Sequence, residues 1–355
     1  MRSPLPEQTP IKTLVILDKD NCELDTLEVF GALEATLAKI ARSRQLPIEL
    51  LHDLTREAEG EHRFNDAVSL IDHMNEIEPR FKTGKKKHIK SDISAKEDWL
   101  KKTSKLSTFY PGVLDTLKAW HDSGTNVVTK TDCERLPLIR RIWLTAINAY
   151  NDNQLKTPYE IISLYDHIYC KPSLGEPDNA DEFDSYLRQF CQTSDVPPSF
   201  AAALNQHITV FRDGHKPSQS HMNVILENYP TRREHILYIG DNYKDGLEAQ
   251  TVEPAVDFAW ARYGADWKPQ VRNFYSKVGS KSYRYGVEEI ASMLELHGVN
   301  VRLVLETSLS DVLKHFDFQS GWNLPRRTLE DALKTDQQAA RNPALYRVSM
   351  PRLGQ

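Results

Sequence analysis

Cysteine is scarce in this chain. Its 355 residues include four, Cys22, Cys133, Cys170 and Cys191. They lie far apart and form no CxxC pair, which argues against a zinc ribbon or a disulfide framework and makes a reducing cytoplasmic setting the default. Long apolar runs are missing too, and no stretch approaches the length of a membrane span. Residues Met1 to Pro6 lack the apolar core of a signal peptide. Positive charge is not in excess. The formal net charge is −5, so nothing in the whole-chain balance argues for nucleic acid. No internal repeat is visible. Apolar residues at 40% and charged residues at 27% describe an ordinary globular chain, long enough for one large domain or two modest ones.

What is present is a set of short apolar runs that end in acids. Thr13 to Leu17 is β-branched and apolar, reads as a buried strand, and delivers Asp18-Lys19-Asp20 at its end. Ile236 to Ile239 reads the same way and delivers Gly240-Asp241-Asn242-Tyr243-Lys244-Asp245. Charge placed beside a core is costly without a partner, so four acids at two strand ends suggest a divalent cation. Between these runs, strands and helices alternate. Tyr110-Pro111-Gly112 opens a helix from Val113 to His121, Ser123-Gly124 closes it, and Asn126 to Thr129 follows as a strand. Further strands are expected at the end of Ile161–Tyr169, a run that carries Asp166, and at His207–Phe211, Val256–Ala261 and Val301–Leu305. The alternation predicts an α/β protein with a doubly wound, Rossmann-like, mostly parallel sheet. A closing helix from Ser308 to Phe316 is expected, with Ser308 or Ser310 as its N-cap.

Three stretches break the alternation, one of them an inserted domain and two of them shorter interruptions of the core. Residues 25–107 are helical in pattern, without a convincing strand, and predict an all-helical domain inserted after the first acidic run. Residues 173–207 and 264–298 read as insertions in the core, which spans 11–24 and 108–317. Residues 1–10 read as a disordered lead-in and 318–355 as an extension or tail.

In open parallel sheets, ligands sit at the carboxyl ends of the strands. Asp18, Asp20, Thr129, Asp241 and Asp245 all fall there, and Lys216-Pro217 precedes Asp241 by about one helix and one strand. The set suits phosphoryl transfer through an aspartyl-phosphate. Asp18 would attack phosphorus. Asp20 would protonate the leaving alkoxide and then activate water. Thr129 would hold a phosphoryl oxygen and Lys216 would supply a fixed cation. Asp18, Asp20, Asp241 and Asp245 are the candidate ligands of Mg²⁺. Thr131 competes with Thr129, which ends the apolar run. Lys171, in Cys170-Lys171-Pro172, competes with Lys216, which lies closer to Asp241.

These four motifs resemble those of the haloacid dehalogenase superfamily. The resemblance covers roughly residues 12–24 and 108–316, including the Trp260-Ala261-Arg262-Tyr263-Gly264 run. It implies a doubly wound sheet, Mg²⁺, a helical cap at 25–107 and hydrolysis of a phosphorylated small molecule. Two departures stand out. The family usually continues its first motif with Gly-Thr, where this chain has Asn21-Cys22-Glu23. Its second motif usually pairs the hydroxyl residue with Asn, where Lys130 stands here.

Other features have plainer readings. Lys82, Lys85, Lys86, Lys87 and Lys90 read as a solvated run, or as a patch that attracts an anionic substrate such as a nucleic-acid end. His62, His73 and His88 read as surface residues. Cys22 lacks an activating histidine, and Trp260 reads as core. A regulatory protein on the same fold with little turnover is the rival expectation, and dehalogenation of a carbon substrate a further one.

Overall fold

A computed structural model describes residues 13–25, 27–60, 70–71, 74–75, 86–173, 175–213, 215–265, 273–274, 276–277, 285–317 and 321–322. Seven parallel strands build its main sheet: β1 (Leu14–Leu17), β4 (Asn126–Glu134), β5 (His167–Lys171), β6 (Ile208–Val210), β7 (Ile236–Gly240), β8 (Asp257–Trp260) and β9 (Val301–Val304). Their spatial order is β6-β5-β4-β1-β7-β8-β9. The chain winds outward from β1 through β4 to β6, returns, and winds the other way from β7 to β9. The fold is therefore a doubly wound α/β sheet. β1 lies at the reversal, flanked by β4 and β7, the position at which open α/β sheets place their ligands.

The strands read as continuous apolar runs because helices cover both faces. Val15 and Leu17 of β1 belong to one core, with Trp120, Ile139 and Phe200. Leu14 and Ile16 belong to the other, with Tyr238, Phe258 and Ile290. Helix α4 (Val113–Ser123) leads into β4, and Gly124 closes it in the left-handed conformation with φ 74°. Helix α5 (Arg135–Asn151) follows β4. Helices α6 (Ala180–Thr193) and α7 (Pro198–Asn205) span the stretch expected as an insertion. They are the crossover from β5 to β6, and their Phe183, Leu187, Cys191 and Phe200 pack in the first core. Helices α8 (Gln219–Asn228), α9 (Tyr243–Ala249) and α10 (Val287–Leu296) complete the layers.

Residues after β1 form helices α1 (Leu27–Arg44), α2 (Ile48–Gly60) and α3 (Lys86–Leu106). They bury a cluster of their own, with Leu37, Ile40, Leu51, Ala95 and Trp99. Phe274, from the second interrupted stretch, is buried in that same cluster. A buried Arg44–Asp92 ion pair ties α1 to α3. The stretch is not purely helical at its margins, because β2 (Leu24–Asp25) pairs antiparallel with β3 (Thr108–Phe109) where the chain leaves and re-enters the sheet.

The strand ends and the closing element differ in detail from the expectation. β4 runs on to Glu134 and does not stop at Thr129. Asp166 precedes β5, where its Oδ2 accepts from the Val127 backbone N–H at 2.6 Å. The closing element Leu309–His315 is a 3₁₀ helix without a side-chain cap, and the Ser308 and Ser310 hydroxyls bond each other at 2.6 Å. Within the stretch expected as a tail, Gly321–Trp322 pairs with Phe316–Asp317, and Trp322 meets Trp120 edge-on at 6.2 Å. The expected lead-in, residues 323–355, His62, His73, Lys82 and Lys85 lie outside the described residues, as do the side chains of Lys86, Lys87 and His88. Lys90 is described and exposed. No described helix is long and apolar enough to cross a membrane.

Candidate active site

β1 and β7 are paired in register, with Leu17 opposite Ile239. Both stop at the same level, so Asp18 and Asp241 emerge side by side beyond the sheet. The Asp18 backbone N–H donates to the Ile239 carbonyl at 2.8 Å, the last tie before the strands part. Asp245 comes from the first turn of α9. Its Oδ2 accepts from the Asn242 N–H at 3.0 Å, closing a capping box that turns the carboxylate inward. Gly240 makes room for it, since a Cβ there would lie 2.4 Å from the Asp245 Cβ. Oxygens of Asp18, Asp241 and Asp245 lie within 4.8 Å of one another, and all three residues are buried.

Lys216 joins them from the loop before α8. Its Nζ donates to Asp18 Oδ1 at 2.5 Å and to Asp245 Oδ1 at 2.8 Å. Burial pushes the Asp18 carboxyl up to about 8; Lys216 opposes the rise, while Asp245 and Asp20 add to it. Burial and then Asp18 push Asp241 up as well. Burial alone would lower Lys216, but Asp18 and Asp245 outweigh it and hold the ammonium well above its ordinary value. Three buried carboxylates against one ammonium leave excess negative charge, the setting a small hard cation relieves. The donor set is all oxygen, which fits Mg²⁺.

Of the two candidate lysines the structure brings Lys216 to the acids. Lys171 faces Asp132 at 3.8 Å. Two expected site residues are engaged elsewhere. β4 continues beyond Thr129, whose fully buried hydroxyl donates to Glu23 Oε1 at 3.0 Å. Thr131 lies two residues nearer the strand end and accepts there from the Cys133 N–H at 3.2 Å. Asp20, expected among the metal ligands, stands outside the three-carboxylate group. Its carboxylate is bound by the Arg141 guanidinium of α5. A carboxylate engaged by a guanidinium gains little by turning toward a second cation.

Several contributors carried no clear signal in the sequence. Lys19 and Glu23 form a wholly buried pair at 2.8 Å, and the Tyr165 hydroxyl donates to the same Glu23 oxygen at 2.6 Å. This knot fixes the loop from Asp18 to Leu24 on the sheet. Asn21 adopts φ 58°, a left-handed conformation that Asn tolerates. Cys22 is buried, and burial followed by Asp18 pushes its thiol up, which disfavours the thiolate. Tyr263 donates from its hydroxyl to the Cys22 carbonyl at 2.6 Å. Trp260, read as core, is buried and also donates from Nε1 to the Asp241 carbonyl at 2.9 Å. Arg262, beside it, pairs with Glu306.

No family model matches this chain, and no curated protein matches it. Solved structures similar to it include a candidate phosphatase from Clostridium difficile, with 12% identity, 85% of this chain and 98% of that chain covered, and a TM-score of 0.41. A candidate phosphoglycolate phosphatase from Lactobacillus delbrueckii shares 12% identity over 86% and 98%, with a TM-score of 0.39. A magnesium-bound candidate hydrolase of the haloacid dehalogenase type from Bacillus subtilis shares 13% identity over 76% and 100%, with a TM-score of 0.36.

Proposed function

We propose that this chain is a Mg²⁺-dependent phosphomonoester hydrolase acting through an aspartyl-phosphate. One observation carries the reading: Asp18, Asp241, Asp245 and Lys216 meet, buried, where β1 and β7 end together. Asp18 is the nucleophile. Lys216 occupies its Oδ1 and leaves Oδ2 to form the bond to phosphorus as the ester P–O bond breaks. Asp20 gives a proton to the departing alkoxide, then takes one from the water that cleaves the aspartyl-phosphate and restores Asp18. Lys216 neutralises phosphoryl oxygens, and Thr131 replaces Thr129 as the candidate hydroxyl. Asp18, Asp241 and Asp245 would hold Mg²⁺, which when bound supplies charge stabilisation to the transferring group. The helical insertion at 25–107 serves as a cap that excludes water and selects a small phosphorylated substrate.

The test is hydrolysis of 4-nitrophenyl phosphate with and without Mg²⁺. Asp18→Asn is expected to abolish turnover while circular dichroism stays native. Undiminished turnover in that variant removes the nucleophile assignment. The Arg141–Asp20 pair favours a second reading, a regulatory protein on the same fold with little turnover. Hydrolysis of any phosphate ester by the intact chain, lost in Asp18→Asn, decides against it.

A further inference from the structure

Asp20 has a partner that the proposed reaction does not use. The Arg141 guanidinium donates from Nη1 to Asp20 Oδ1 and from Nη2 to Cys133 Sγ. The two side chains are 11% and 12% exposed, so the pair sits at the edge of the buried site with a small open face. While Arg141 holds Oδ1, that oxygen cannot face a leaving group. Pulling a guanidinium off a mostly buried carboxylate is costly unless another anion replaces it. The helix carrying Arg141 is firmly seated. Arg140 Nη1 donates to Thr103 Oγ1 at 3.1 Å, and Asn148 Nδ2 donates to the carbonyls of Ser104 and Ser107 at 3.0 and 2.8 Å. α5 is thereby bonded to the end of α3, and Arg141 is presented from a fixed frame to Asp20, which lies two residues along the chain from Asp18.

We propose that Arg141 selects the substrate: it binds a second anionic group carried by the leaving group of a phosphomonoester, and the exchange releases Asp20 Oδ1 to serve that leaving group. The planar guanidinium fork matches a carboxylate or phosphate in two bonds, so the incoming anion replaces Asp20 without leaving the cation bare. A neutral leaving group offers no such exchange and meets Asp20 still engaged. The substrate class is a phosphate ester with a carboxylate or second phosphate a few bonds from the ester oxygen. This inference rests on the phosphatase reading above.

The experiment compares n-propyl phosphate with 2-carboxyethyl phosphate, matched in length and differing by one carboxylate, on the full chain with Mg²⁺. The intact chain is expected to favour the carboxylate ester in kcat/KM by about tenfold or more, the scale of one charge-assisted contact. Arg141→Met should bring that ratio to about one, and Arg141→Lys should leave it between the two, because a lysine keeps charge but loses the fork. If Arg141→Met does not fold by circular dichroism, Arg141→Lys decides, and an unchanged ratio overturns the proposal. A ratio near one in the intact chain, or one retained in Arg141→Met, overturns it with the phosphatase reading intact. Failure of the intact chain to hydrolyse either ester, or 4-nitrophenyl phosphate, brings down both.

Discussion

Gly264 lacks a side chain where another backbone needs the space: a Cβ there would lie 1.6 Å from the Asn21 carbonyl oxygen and 3.2 Å from the Asp241 Cβ. The loop after Asp18 is pressed onto that glycine and tied down by the buried Lys19–Glu23 pair. Gly264→Ala is therefore expected to destabilise the protein by roughly 1–3 kcal/mol and to reduce turnover by displacing Asp18 and Asp241. Urea unfolding and kcat check it, and a variant matching the parent in both sinks the argument. The buried knot makes a second case. Lys19→Met leaves Glu23 without its cation, which is expected to cost about 3–5 kcal/mol, whereas Lys19→Met with Glu23→Gln should recover part of the loss, because a neutral amide oxygen still accepts from the Tyr165 or Thr129 hydroxyl. A double variant no better than the single would show that the pair contributes more than mutual neutralisation.

Among elements, the reach of the second interrupted stretch matters most. Phe274 is buried among α1, α2 and α3 and meets His52 edge-on at 5.9 Å. Nearby, the Lys277 carbonyl accepts from Arg56 at 2.6 Å, and Lys277 Nζ approaches Glu34 at 3.5 Å. The helical unit therefore contains a piece of chain from beyond β8. Phe274→Ala is expected to cost about 3–5 kcal/mol and to raise amide exchange in α1 and α2 before the sheet. Exchange rising first in β1 and β7 would contradict this. The strands themselves were plain in the sequence, since runs such as Leu14 to Leu17 and Ile236 to Gly240 leave no polar face. β2 and β3 were not, because each is two residues long and exists through pairing with the other.

The acidic centre is expected to couple the stability of the whole molecule to pH and to a divalent cation. Burial raises Asp18 from 3.8 to about 8, so at this one group the folded state holds a proton that the unfolded chain gives up across that window. Its contribution to stability is fully present below the lower value and is lost as pH rises toward the upper one. A divalent cation takes the deprotonated acids, so the gain in Tm on adding Mg²⁺ should be small near about pH 6 and grow toward about pH 8. Asp245→Asn should abolish most of the gain. Thermal scans at the two pH values check this, and an equal gain at both would count against a site built from these acids.

The sequence by itself determined where carboxylates meet strand ends, and hence the sheet and the acids Asp18, Asp241 and Asp245, because an apolar run and the acid that stops it are neighbours along the chain. It could not choose among side chains brought from afar. Lys216 reaches Asp18 across 198 positions and Arg141 reaches Asp20 across 121. Thr129 was favoured because its apolar run ended there, yet β4 continued and Glu23 claimed its hydroxyl. Such pairings depend on distance in space and on which buried donor must find an acceptor, and only the folded arrangement of the strands settles both.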